Sequence, residues 1–167
     1  MILAVSPLAT VGISAGVAAV VSVITLWING VRQERGRRRE LYGKALAATM
    51  AYREFPYAIV RRRNEDQHRS EERVRLSEAL REVQADISLH QALLRVERSE
   101  DVVKAYNTLV GKTREIAGGY MKDAWQAEPI TSDKEVNQGA PLAYATLDRY
   151  VDEYLKKVRN DLRWWRF

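Results

Sequence analysis

The feature that most constrains the fold is an uncharged stretch near the amino terminus, since residues 2–31 contain no acidic or basic side chain. Within it, residues 7–28 would extend about 33 Å as an α-helix, close to the thickness of the hydrocarbon core of a bilayer. Ser6 followed by Pro7 is typical of a helix start, and Trp27 suits the headgroup boundary. The sequence therefore predicts a transmembrane anchor in residues 1–31.

Two other interpretations of this stretch are a buried core helix and a cleaved signal peptide. A core helix of this length without one charge is unusual in a small domain. A signal peptide begins with basic residues and ends at a small-residue cleavage site. Here no basic residue precedes the apolar run and bulky residues follow it, so the anchor is the favoured interpretation.

The charges beside the span predict its orientation. Five arginines follow it and none precedes it, namely Arg32, Arg35, Arg37, Arg38 and Arg39. Because basic residues stay on the cytoplasmic side, we expect the amino terminus outside, residues 32–167 in the cytoplasm, and the arginines against anionic lipid. Arginine outnumbers lysine, a bias typical of GC-rich bacterial genomes, so the expected location is a bacterial inner membrane.

Small residues within the span form a candidate contact face. Gly12 and Gly16 make a G-x-x-x-G pair, and Ala19 continues that face. Small residues let two helices approach closely in lipid, so this face is the candidate seam of a homodimer. The alternative is ordinary packing against lipid or within the chain, because such pairs are frequent in spans rich in glycine and alanine.

Beyond the span, apolar residues recur at spacings of four and three residues in four separate segments. This is the period of an α-helix, and nothing between the segments resembles the alternation of a β-strand. The stripes are Leu41, Ala45, Ala48, Tyr52 and Phe55; Leu76, Leu80, Val83, Ile87, His90 and Leu94; Val102, Tyr106, Leu109, Thr113, Ile116 and Tyr120; and Tyr144, Leu147, Val151, Tyr154, Val158, Leu162 and Trp165. Since one apolar stripe cannot be buried alone, the sequence predicts an all-α fold. In it, residues 32–167 form an antiparallel bundle of about four helices with a linker at about 126–141.

Local signals predict where these helices begin and end. Pro56 should bend or end the first, Ser70 and Ser99 should cap the second and third, and Pro141 should open the fourth. The two glycines at 118–119 lie within the third stripe, so we expect a close helix contact there rather than a break.

The sequence carries little that indicates catalysis. The chain has no cysteine, which excludes disulfides and thiolate chemistry, and it has no phosphate-binding loop, nucleophile elbow or zinc-protease motif. His90 lies on an apolar stripe one turn after Asp86, so we expect a core histidine whose ring nitrogen is satisfied by Asp86. A metal site or an enzymatic bundle centred on His90 is the distant alternative. We therefore expect no catalytic residue, no metal and no cofactor.

The arginine triplet Arg61, Arg62 and Arg63 forms a basic patch beyond the first cytoplasmic helix. Nearby aromatic residues would suit nucleic-acid binding, yet the same residues match the apolar stripe. The favoured interpretation is therefore a solvated basic end, with nucleic-acid binding as the alternative.

The sequence RWWRF at the carboxyl end places aromatic residues among arginines, and its members are Arg163, Trp164, Trp165, Arg166 and Phe167. Four helices return the chain towards the membrane, where indole and guanidinium groups suit the headgroup region. We therefore expect this end to enter the interface of the inner leaflet. In the alternatives, Trp165 covers the core or the end binds another protein.

Together these patterns predict a non-enzymatic, single-pass membrane protein whose cytoplasmic bundle acts as an adaptor, scaffold or regulator. The expected partners are membrane lipid, another protein and a second copy of the chain. Tethering of nucleic acid through residues 61–63 is the alternative function.

Overall fold

The computed structural model describes residues 7–63, 68–130 and 144–163, and within the first helix the side chains of residues 7–21 and 23 lie outside the description. The described residues form four helices and no strand. The helices are α1 (Pro7–Val60), α2 (Arg69–Glu97), α3 (Glu100–Gln126) and α4 (Ala145–Asp161). This confirms the predicted all-α class for the described part of the chain.

The chain divides into two units, with the boundary between Arg39 and Glu40. In the first unit, Glu34 accepts a hydrogen bond of 3.0 Å from Nε of Arg37 and one of 2.8 Å from Nε of Arg38. These two guanidinium groups, Arg37 first, lower the pKa of Glu34 to about 2. Two of the arginines predicted to face lipid are therefore paired with a carboxylate of their own helix.

The predicted transmembrane anchor is not supported by the described residues. No helix in that part of the chain combines the length and the apolar character that crossing a membrane requires. Most of the side chains on which the prediction rests, those of residues 7–21 and 23, lie outside the description.

The core of the second unit forms where the apolar stripes of the helices meet. The largest fully buried side chains include those of Leu76, Ile87, Leu94, Leu109 and Leu147. Each contributes about 1.5–3 kcal/mol by leaving water, and together they favour the packed state over isolated helices. All five lie on stripes predicted from the sequence.

The stripe of α3 differs from its prediction in its second half. After Thr113 the predicted stripe continues through Ile116 and Tyr120, which are only half-buried, whereas Ala117 and Met121 are buried. A strict alternation of four and three has a period of 3.5 residues, and a straight helix with 3.6 residues per turn drifts about 20° per heptad away from it. From Thr113, two consecutive steps of four residues, to Ala117 and then Met121, keep the stripe facing the core. The buried positions in this part of α3 therefore lie one residue later than predicted.

The predicted helix boundaries hold only in part. Helix α1 continues through Pro56 to Val60, so Pro56 does not end it, and buried side chains on either side, Phe55 and Ile59, hold that turn against the core. Helix α2 begins at Arg69, so Ser70 lies inside it rather than at its cap. Ser99 does occupy the N-cap position of α3, but its side chain makes no capping hydrogen bond. Pro141 lies outside the described residues.

The glycines at 118–119 do not interrupt α3, which runs without a break from Glu100 to Gln126. A methyl group added to Gly118 or Gly119 would meet no described atom within 4 Å. Within the described part of the chain, the predicted close helix contact at this pair is therefore wrong, because no other described helix packs against α3 there.

Candidate functional site

The end of α1 is tied to the end of α3 by one arginine. Nη1 of Arg62 donates hydrogen bonds to the backbone carbonyl oxygens of Ile59, at 3.0 Å, and Ala124, at 2.8 Å, while Nη2 donates to that of Ala127 at 2.6 Å. The last carbonyl groups of a helix lack partners within the helix, and a cation suits the negative end of its dipole. Arg62 therefore serves as a shared C-terminal cap for two helices.

A backbone hydrogen bond continues this connection. The N–H group of Ile130 donates to the carbonyl oxygen of Val60 at 3.0 Å, so the chain leaving α3 runs beside the end of α1. The first turns of α2 form the remaining side of a cleft, which we call the basic cleft.

The basic cleft has a volume of about 420 Å³. Among the described residues, its lining consists of Arg62, Arg63, Arg69, Glu72, Arg73, Trp125, Gln126, Ala127, Glu128 and Pro129. Within this described lining, four arginines and two glutamates give an excess of positive charge, which favours an anionic ligand. The volume lies within the range of small-ligand pockets and also suits a short segment of a larger partner.

The negative charge of one of the two glutamates is already compensated by an arginine of the same helix. Buried Glu72 accepts a bidentate pair of hydrogen bonds from Arg75, at 2.7 and 2.8 Å, and a further one from the backbone N–H group of Arg63. The guanidinium group of Arg75 is the main cause that lowers the pKa of Glu72. Since the Glu72 charge is compensated there, it offsets little of the positive charge at the rim.

An aromatic ring completes the lining. The side chain of Trp125 is 37 % exposed, and its ring lies 5.3 Å from the Cζ atom of Arg62. This cation–π contact holds the indole in place and leaves part of it open to a ligand. The cleft therefore combines cationic side chains with a fixed aromatic surface.

The structure separates the predicted Arg61–Arg63 patch into three different environments. Arg61 is exposed and does not line the cleft. Arg62 is half-buried, and its guanidinium group binds backbone carbonyl oxygens. Arg63 is exposed at the rim of the cleft. Arg69 and Arg73, which no sequence pattern indicated, join Arg63 from the first turns of α2. Their spacing of four residues showed that they share a helix face, but only the fold shows what that face meets.

The other residues selected from the sequence lie elsewhere. The surroundings of Gly12, Gly16 and Ala19 within their helix lie outside the description, as does the whole of 164–167. Arg163 is exposed, and so are Arg32 and Arg39. The structure therefore leaves the dimer face of the span and the interfacial role of the aromatic end as predictions.

His90 is a buried residue of α2 whose ring is satisfied locally. Its Nδ1–H group donates a 2.8 Å hydrogen bond to the backbone carbonyl oxygen of Asp86, and the nearest Asp86 carboxylate oxygen, Oδ1, is 3.7 Å away. Asp86 thus satisfies the ring nitrogen mainly through its backbone rather than its side chain. Among the described residues, no three histidine, aspartate or glutamate side chains come together as a metal site would require.

Buried tyrosines form a second polar cluster, away from the cleft. The hydroxyl of Tyr42 donates to the Asp161 carboxylate, that of Tyr154 donates to the carbonyl oxygen of Tyr42 at 3.1 Å, and that of Tyr106 donates to the carbonyl oxygen of Ala45 at 2.9 Å. Burial raises the pKa of both Tyr106 and Tyr154. Since every hydroxyl is directed at a group of α1 or α4, these tyrosines hold the bundle together.

Comparisons of this chain with known protein families, with curated proteins and with solved structures gave no match.

Proposed function

We propose that this chain is a non-enzymatic adaptor whose helical bundle binds an acidic segment of a partner protein in the basic cleft. The observation that carries the proposal is the convergence of Arg63, Arg69 and Arg73 around one concave surface. Arginine favours carboxylates because its planar guanidinium group can donate two parallel hydrogen bonds to them.

The rigidity of the cleft wall supports a binding role. Arg62 is held by three backbone carbonyl oxygens and by Trp125, so the wall it forms is in place before any partner arrives. A preformed site loses less side-chain entropy on binding than one assembled by the ligand. The exposed part of Trp125 offers apolar contact to the aliphatic stems of glutamate or to an aromatic residue among the acidic ones.

A single-stranded nucleic acid is the second candidate ligand, and Trp125 is the observation that favours it. Proteins that bind single strands combine a basic groove with aromatic rings on which bases stack. The basic cleft offers one such ring beside its arginines. We prefer the acidic protein segment because proteins usually hold a strand of several nucleotides with a row of aromatic rings along the groove, whereas the described lining of the basic cleft has the single ring of Trp125.

We also propose, from the sequence pattern of residues 7–28 alone, that the adaptor is anchored in a bacterial inner membrane with its bundle in the cytoplasm. In this proposal, basic residues after the span, such as Arg32 and Arg39, contact anionic headgroups, and the aromatic carboxyl end enters the same interface. The cleft would then recruit an acidic partner to the membrane surface.

The experiment is a binding comparison on the full chain in mild detergent. A fluorescent peptide of alternating glutamate and aspartate and a single-stranded oligonucleotide of equal charge are each titrated against the protein and against Trp125→Ala. We expect the peptide to bind at least as tightly as the oligonucleotide and to be weakened only slightly by the substitution. Tighter binding of the oligonucleotide, with a loss of about 1–3 kcal/mol in Trp125→Ala, would establish the second candidate instead. Binding of neither ligand would refute the proposal.

A further inference from the structure

Helix α2 carries a second apolar stripe in addition to the one that packs into the core. Its members are Ala85, Leu89, Ala92 and Val96, again spaced four, three and four. The side chain of Leu89 is 54 % exposed and that of Val96 is 85 % exposed, and both alanines are exposed. We call these four residues the outer stripe.

The outer stripe lies on the side of α2 opposite the core. At 100° per residue, its centre is about half a turn from the buried face, which contains Leu76, Ile87 and Leu94. A helix with a single packed face has polar residues on the other side, whereas a helix apolar on both sides is usually covered on both. The described residues of one chain therefore cover only one of the two apolar faces of α2.

We propose that a second copy of this chain covers the outer stripe, with the two α2 helices packed side by side in parallel. The stripe has the heptad arrangement of a coiled coil, with Leu89 and Val96 at the a positions and Ala85 and Ala92 at the d positions. Alanines at d allow the two helices to approach closely. This inference does not depend on the function proposed for the basic cleft.

The charges beside the stripe identify a second copy as the partner. Arg81 falls at a g position and Asp86 at the next e position, and both side chains are exposed. In a parallel coiled coil, a g residue of one helix lies beside the following e residue of the other. Arg81 of each chain would therefore meet Asp86 of the other chain, which gives two symmetric ion pairs.

The same charges argue against the antiparallel arrangement. One flank of the stripe carries Arg81 and Arg95 at g positions, and the opposite flank carries Asp86 at an e position. Glu82, one heptad before Leu89, is itself at an a position at the end of the apolar stripe. A two-fold axis perpendicular to antiparallel helices places each flank against itself, so that arginine would face arginine and carboxylate would face carboxylate. The parallel pair brings opposite flanks together and avoids this repulsion at the e and g positions, and it leaves only the two Glu82 side chains side by side at the end of the seam.

Cysteine cross-linking tests the proposal directly, because the natural chain contains no cysteine. The full chain is prepared in mild detergent as Leu89→Cys and as Val96→Cys, with Gln84→Cys as an exposed control on α2 outside the stripe, and is oxidised gently. We expect about tenfold more disulfide-linked dimer from each stripe variant than from the control, because self-pairs at a positions lie within the roughly 7 Å Cα separation that a disulfide tolerates.

The pattern of cross-links also distinguishes the orientations. In an antiparallel pair, positions 89 and 96 cannot both lie close enough to their own copies, since they are about 10 Å apart along the helix. Self-cross-linking at only one of them, or only between 89 and 96 in a mixture, would overturn the parallel arrangement. Cross-linking no greater than that of Gln84→Cys would overturn the second copy as the occupant, and a different protein would then cover the stripe.

A charge exchange in the Leu89→Cys background tests the pairing itself. We expect Arg81→Asp and Asp86→Arg each to lower the yield of linked dimer about fivefold, because attraction becomes repulsion at both symmetric sites. The double variant restores the pairs with reversed sign and should recover the yield. Circular dichroism confirms that each variant keeps its helical content. A double variant no better than the single ones would contradict the Arg81–Asp86 contact.

Discussion

Arg62 reaches from the end of α1 to the last turn of α3, where its guanidinium group donates a 2.8 Å hydrogen bond to the backbone carbonyl oxygen of Ala124. Two further bonds from the same side chain, to Ile59 and Ala127, make this arginine the connection between two helix ends. One wall of the basic cleft therefore depends on the folded position of a single side chain.

We expect Arg62→Ala to lower the free energy of unfolding by about 2–4 kcal/mol, since several hydrogen bonds to a charged donor and the contact with Trp125 are lost together. The neighbouring exposed residue provides the control, and Arg61→Ala should change stability by less than about 0.5 kcal/mol. Urea unfolding followed by circular dichroism measures both. Similar losses for the two variants would show that Arg62 has no special structural role.

The buried tyrosines predict a loss of stability in alkali. Burial raises the pKa of Tyr154 above its unfolded value of about 10, so the folded state binds its proton more tightly than the unfolded state does. The contribution of this proton is fully present below pH about 10 and is lost as the pH rises further. Tyr154→Phe should cost about 1 kcal/mol at neutral pH and make the decline above pH 10 shallower. The control is Tyr150→Phe, at a half-buried position of the same helix. Unchanged alkaline decline in Tyr154→Phe would contradict this assignment.

Replacing His90 should have little effect. The ring makes one hydrogen bond, to the carbonyl oxygen of Asp86, and the Asp86 side chain is 55 % exposed, so water can solvate that carboxylate when the ring is gone. We expect His90→Leu to change the free energy of unfolding by less than about 1 kcal/mol, because a buried polar ring is exchanged for an apolar side chain. Thermal unfolding and elemental analysis check this prediction. Disappearance of a stoichiometric metal from the variant would contradict the structural role of His90.

Membrane attachment is a prediction from residues 7–28 alone. In bacterial cells, the chain should stay with the membranes during an alkaline carbonate wash, and a carboxyl-terminal phosphatase that is active only outside the cytoplasm should remain inactive. Ala18→Arg combined with Val21→Arg should release the chain, because each central arginine costs about 2.5–3.5 kcal/mol on insertion. Release of the natural chain by the wash would refute the anchor, and an active phosphatase would refute its orientation.

The sequence predicts the helical class and most of the core because burial repeats with the period of the helix. Leu76, Ile87 and Leu94 are buried as their spacing indicated. The shift in the last turns of α3, from Tyr120 to Met121, was missed because both residues are apolar enough for a core. Only the accumulated rotation of the helix distinguishes them.

The residues of the basic cleft were harder to predict from the sequence than those of the core. Three consecutive arginines are equivalent in the sequence, but Arg62 turns inward because the end of α3, more than sixty residues later, presents open carbonyl groups to it. Arg73 became part of the site for a similar reason, since the chain must turn back after α1 before α2 lies beside Arg63. Contacts so distant in the sequence leave no periodic signal.

Substitutions that change the charge of the basic cleft in opposite directions test whether the cleft is the binding site. Binding of the fluorescent acidic peptide to the full chain is measured for Arg73→Gln and Glu128→Gln, both in the cleft lining, and for Arg159→Gln, an exposed position on α4 with the same loss of charge as Arg73→Gln.

We expect Arg73→Gln to weaken binding by about tenfold, Glu128→Gln to strengthen it by about threefold, and Arg159→Gln to leave it within about twofold of the natural chain. Equal weakening by Arg73→Gln and Arg159→Gln, with no gain from Glu128→Gln, would mean that net charge attracts the peptide, and would refute the basic cleft as its binding site.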